Sequence, residues 1–126
     1  MQSVYILEYK DDNAFTLSEW FRSHGFKTKR FSTLEQLLNN LKISQPDCII
    51  LDCLFDRISL TSNICHTIRN IFHFTGPIWL SSPSTISAKD LKACNASGFI
   101  AKPFESEIIL DLVNELSGNA VTMSIA

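Results

Sequence analysis

Short apolar runs and helical stripes alternate along this chain. "VYIL" (Val4–Leu7) is the first run, short and β-rich. From Asp12 to His24 the apolar residues Phe15, Leu17, Trp20 and Phe21 predict a helix with its apolar side toward a core. Gly25 is placed to end that helix on a left-handed residue. "FKTKRF" alternates as an exposed or edge strand does. "STLEQLLNNLK" opens with Ser32 or Thr33 as N-cap and Glu35 or Gln36 three residues on, and Leu34, Leu37, Leu38 and Leu41 form one stripe. Pro46 and Asp47 break the pattern, and "CIIL" (Cys48–Leu51) follows as the most continuously apolar strand. Leu60, Ile64, Ile68, Ile71 and Phe72 predict another helix, ended by Gly76-Pro77. "IWLS" reads as a buried strand, Ser84 to Ala96 as a weaker helix carrying Ile86, Leu91 and Cys94, and "FIA" after Gly98 as a short strand. "ESEIILDLVNEL" closes the series as a helix with Ile108, Ile109, Leu112 and Leu116 inward and Gly118 at its end.

Five strand–helix units of this kind predict a parallel sheet with helices on both faces. With right-handed crossovers the expected architecture is α/β: a flavodoxin-like, doubly wound, five-stranded parallel sheet in the order 2-1-3-4-5. One domain is expected over residues 1–118, with 119–126 as a C-terminal tail or linker.

Composition narrows the function classes. The chain has 126 residues, 45% of them hydrophobic, so a core can close without staples. A net charge of −2 and the lack of a basic stripe argue against nucleic-acid binding. The one basic cluster, "KTKR" (Lys27–Arg30), reads as a solvated strand edge. Cys48, Cys53, Cys65 and Cys94 form no CxxC pair, and three of the four lie in apolar segments. Cys65, His66 and His73 lack zinc-ligand spacing. Neither a signal peptide nor a membrane-length apolar run is legible, which predicts a cytoplasmic domain with no membrane partner.

In such folds ligands bind at the carboxyl ends of the strands. The residues there are Glu8 and Tyr9, Asp52, Ser81-Ser82, and Lys102 followed by Pro103. Over Val4 to Leu116 this constellation resembles the receiver domain of two-component response regulators, with "GFIAKPF" (Gly98–Phe104) a close match. The resemblance implies that Asp52 accepts a phosphoryl group and that Ser82 and Lys102 contact it. It also implies Phe99 as the switch aromatic and a cis bond between Lys102 and Pro103. The implied partner is a histidine kinase or phosphotransfer protein. The face formed by the fourth helix, fifth strand and fifth helix would change its partner, or pair two copies of the chain. A non-enzymatic role is expected. The implied cofactor is Mg²⁺, held by Glu8 and Asp52.

The chain also departs from the family pattern. The second of the two acids that normally end strand one is Tyr9, a poor Mg²⁺ ligand. Asp11 and Asp12 stand nearby and could serve only if the loop bends back. Their ordinary reading is as first-turn acids of a helix. The loop after Asp52 carries Asp56 and Leu60 where the family commonly has Pro and Gly, Asp56 and Arg57 read as a surface pair, and Pro83 replaces a small residue. A second reading is therefore a degenerate receiver acting as a phosphorylation-independent interaction module. A flavodoxin is disfavoured because "EYKDDNAF" is acidic where a flavin phosphate would bind. A haloacid-dehalogenase-type phosphatase would want its nucleophile where Glu8 and Tyr9 stand.

Overall fold

The "CIIL" run becomes the central strand of a five-stranded parallel sheet, buried along its whole length. The computed structural model describes residues 2–53 and 58–116. Along the chain the elements are β1 (Ser3–Leu7), α1 (Asp11–Ser23), β2 (Lys27–Phe31), α2 (Leu34–Leu41) and β3 (Cys48–Asp52). They continue as α3 (Ile58–Asn70), β4 (Ile78–Ser82), α4 (Ala88–Ala93), β5 (Gly98–Ala101) and α5 (Ser106–Leu116). The strand order is β2-β1-β3-β4-β5, as expected, so strand order reverses between β1 and β3. The Asp56–Arg57 pair, Gly118 and the tail from 119 lie outside the described residues.

Period-two alternation divides the strands between two cores. Tyr5, Leu7, Ile49, Leu51, Ile78 and Leu80 face a layer built by α2, α3 and Cys94 at the end of α4. Val4, Ile6, Cys48, Ile50 and Ile100 face Leu17 and Phe21 of α1 and Ile109, Leu112 and Val113 of α5. Helix ends follow the sequence. Thr33 caps α2 by accepting from the Gln36 N–H at 3.2 Å, while Gln36 reaches back to the Ser32 N–H at 3.1 Å. After α1, Gly25 takes φ 86° and donates to the Arg22 carbonyl, and the Phe26 N–H donates to Phe21.

The structure corrects four expectations. Phe15 is 67% exposed, because two residues from Leu17 is a rotation of about 200° around the helix; Ala14, Leu17, Ser18 and Phe21 form the buried stripe instead. Leu60 is exposed at the start of α3, and Ile71 falls just beyond its end and is exposed too. Helix α4 begins at Ala88 rather than near Ser84, because the Ser87 hydroxyl accepts from the Asp90 N–H and starts the helix there. On α5 the expected Ile109 and Leu112 are buried, Ile108 and Leu116 pack partly buried against the same core, and Val113 joins them. The four cysteines are free and buried, and burial pushes the Cys65 thiol up to about 12, so they pack as small hydrophobes.

Candidate functional site

Parallel strands deliver all their carboxyl ends to one edge of the sheet. Asp52 ends β3, Ser82 ends β4, Glu8 follows β1 directly, and Lys102 follows β5. The register places Asp52 beside Ser81 and Ser82 beside Ala101. The Lys102 ammonium donates to Asp52 Oδ1 at 2.8 Å and lies 2.9 Å from Glu8 Oε1. The second contact is an ion pair without hydrogen-bond alignment, since Glu8 Oε1 has no hydrogen-bond partner. Glu8 Oε2 accepts from the Lys10 N–H at 3.0 Å. The peptide between Lys102 and Pro103 is cis.

The group is withdrawn from water: side-chain exposure is 0% for Glu8, 4% for Asp52 and 15% for Lys102. Burial, with the neighbouring Asp52 carboxylate next, holds the Glu8 pKa above its ordinary value, although Lys102 and the Lys10 N–H pull the other way. Burial alone would lower Lys102, but hydrogen bonds and charge from Asp52 and Glu8 outweigh it and its pKa is raised. One ammonium thus serves two carboxylates, and burial disfavours the charge on Glu8.

A carboxyl whose pKa is raised on folding contributes most stability below its unfolded value, and that stability is lost as pH rises through the folded value. Glu8→Gln removes the disfavoured charge and keeps an acceptor for Lys10. It is expected to stabilise the fold at neutral pH by about 1 kcal/mol and to flatten the stability curve above the ordinary glutamate range. Urea unfolding at pH 4 and pH 7 checks this, and a variant weaker than wild type at pH 7 would count against it.

Ser82 is buried, its hydroxyl accepts from the Ser84 N–H at 3.1 Å, and its carbonyl accepts from the Lys102 N–H at 2.9 Å. Phe99 is half-buried on β5, packed against the core that α2 and α3 cover. Tyr9 is 38% exposed; burial, then the charges of Asp52 and Glu8, push its phenol up, so it stays neutral. Asp11 does not join this group. Its exposed carboxylate pairs with Arg30 at 2.8 Å.

Arg30 is a residue the sequence reading missed. Lys27 and Lys29 are exposed, as expected of a solvated edge, but Arg30 turns inward. Its Nε and Nη2 donate to the Glu8 carbonyl at 3.0 and 2.7 Å. It thereby braces the loop that presents Glu8 and Tyr9. The available signal was its place near the carboxyl end of β2, opposite Ile6 on β1.

Comparison with known proteins gives the family of the chain. The family model "Response regulator receiver domain" matches residues 4–114, and the chain belongs to that family. Among solved structures it is similar to a candidate response regulator from Chloroflexus aurantiacus J-10-fl, at 26% identity and TM-score 0.77, covering 93% of this chain and 98% of that one. A response regulator from Thermotoga maritima (16% identity, TM-score 0.79, 94% and 98% covered) shares the fold. So does the chemotaxis protein CheY4 of Vibrio cholerae (20% identity, TM-score 0.75, 92% and 98% covered). No curated protein matches the chain.

Receiver domains typically hold Mg²⁺ at their acidic pocket. The residues present here do not fit that ion. Mg²⁺ needs an octahedron of oxygen ligands, yet Asp52 Oδ1 and Glu8 Oε1 both face the Lys102 ammonium. Tyr9 offers a neutral phenol, and Asp11 is engaged by Arg30. Among the described residues, no three His, Cys, Asp or Glu side chains gather where they could hold a metal ion.

Proposed function

We propose that this receiver domain is the input module of a phosphorelay, with Asp52 as phosphoacceptor. The observation that carries the reading is the 2.8 Å contact between Lys102 and Asp52 at the edge where the strands end. A carboxylate oxygen of Asp52 forms the new O–P bond as the donor's bond to phosphorus breaks, and the electron pair leaves with the donor. The transferred group spreads negative charge over three oxygens, so catalysis is mainly positioning and neutralisation. Lys102 supplies the positive charge and the Ser82 hydroxyl a hydrogen bond. Ser82 and Phe99 then shift, and the α4–β5–α5 face changes its partner or pairs with a second copy. The donor is a histidine kinase or phosphotransfer protein, no reaction is catalysed on a separate substrate, and the setting is cytoplasmic. No helix among the described residues is long and apolar enough to cross a membrane.

A second reading is a phosphorylation-independent interaction module. Tyr9 at the second acid position and the engagement of both buried carboxylates by Lys102 favour it. Intact-mass measurement with acetyl phosphate, or with the partner kinase and ATP, separates the two. The expected result is gain of one phosphoryl group, lost in Asp52→Asn and labile to hydroxylamine. No gain from either donor would sink the phosphoacceptor reading in favour of the second.

A further inference from the structure

We infer that this pocket is closed to Mg²⁺ and that Tyr9 is the residue that closes it. The inference deepens the phosphoacceptor reading and rests on it for the pocket's centre at Asp52. Glu8 and Asp52 carry two negative charges, and Lys102 lies within 2.9 Å of one and 2.8 Å of the other. The set is left with one net negative charge, and the ammonium stands where a cation would have to approach both acids. Mg²⁺ gives up water reluctantly and needs ligands at about 2.1 Å in near-ideal octahedral positions.

Among the described residues, three of the four carboxylate oxygens of Glu8 and Asp52 already face a positive or N–H group. Asp52 Oδ1 accepts from Lys102 and Glu8 Oε2 accepts from the Lys10 N–H. Glu8 Oε1 faces the same ammonium. A carboxylate at position 9 would add a second net negative charge at the mouth of the pocket; a tyrosine there adds none. The next acid along the chain after Glu8, Asp11, is held by Arg30, which also holds the Glu8 carbonyl and so fixes the loop away from the bend that would bring Asp11 inward.

The test uses MgCl₂ alone, with ¹⁵N-labelled protein and no phosphodonor. Wild type and Tyr9→Phe are expected to show no saturable amide shifts at Glu8, Asp52, Ser82 and Lys102 through millimolar Mg²⁺. Tyr9→Asp is expected to bind saturably, tighter than wild type by about tenfold or more. Saturable binding by wild type overturns the inference, as does a folded Tyr9→Asp that stays silent. Binding by Tyr9→Phe overturns it too, because the missing carboxylate at position 9 would then not be what excludes the ion. Labelling at Asp52 is a separate readout: Mg²⁺ uptake refutes this inference whether or not Asp52 is labelled, and failure to label refutes the phosphoacceptor reading whether or not Mg²⁺ binds.

Discussion

Lys102→Ala is expected to cost about 3 kcal/mol at neutral pH, among the larger losses any single substitution near the site would bring. Glu8 and Asp52 are both almost fully buried, and Lys102 is the cation that meets them. Removing it leaves two like charges together in a place with little water. The figure sits at the low end for broken buried pairs because 15% of the lysine side chain is exposed and the carboxyls can share a proton once it is gone. That escape fixes the pH signature. As pH falls, Glu8, whose pKa burial already holds above its ordinary value, takes up a proton and relieves the repulsion, so the difference between variant and wild type shrinks. On the alkaline side the sign follows from the raised Lys102 pKa. Its stabilisation is whole below the ordinary lysine value and is lost only as pH rises through the higher folded value. Urea unfolding at pH 7 and pH 4 checks this. An equal loss at the two pH values, or a loss under about 1 kcal/mol at pH 7, would show that Lys102 is not holding the acids.

The carboxylate and lysine of this cluster were legible in the sequence because each ends or follows an apolar run that can only be a buried strand. Parallel pairing then leaves them no place but one edge. What the sequence could not show was how one ammonium is divided between two acids, because that depends on side-chain geometry rather than on register. Arg30 escaped for a related reason. Within "KTKR" alternation marks Lys27 and Lys29 as outward, but nothing in it says that the last basic residue meets the Glu8 carbonyl across the β2–β1 pair. Asp11 is the reverse case. Its ordinary reading was as a first-turn acid of a helix; it does open α1, and its carboxylate is paired with Arg30.

Strand order and the two cores were legible for similar reasons: burial on both faces leaves β3 no option but the centre of the sheet. Helix faces were harder. A count of apolar residues at roughly helical spacing put Phe15 and Phe21 on one side of α1, whereas their angular separation puts only Phe21 toward the sheet. Small residues such as Ala14 and Ser18 take the close-approach positions there, and a hydrophobicity count overlooks them. The start of α4 was missed because a serine can cap a helix or sit in the loop before one. Only the Ser87–Asp90 hydrogen bond decides between the two.

Phe21→Ala is expected to destabilise by about 4 kcal/mol, a large part of what a domain of this size has to lose. The ring is fully buried among Leu17, Ile50 and Val113, and it packs edge-on against Phe26 with centroids 5.5 Å apart. That pair also secures the end of α1, since the Phe26 N–H donates to the Phe21 carbonyl around Gly25. The substitution therefore removes core volume and loosens the helix stop together. Unlike the loss at Lys102, this one involves no titratable group and should be the same at pH 4 and pH 7. Phe15→Ala, six residues earlier and 67% exposed, is expected to stay within about 0.5 kcal/mol of wild type. Equal losses for the two phenylalanines would mean that α1 is rotated on the sheet. Because α1 continues directly from the Arg30-braced loop, such a rotation would also displace Glu8 and Tyr9 from Asp52.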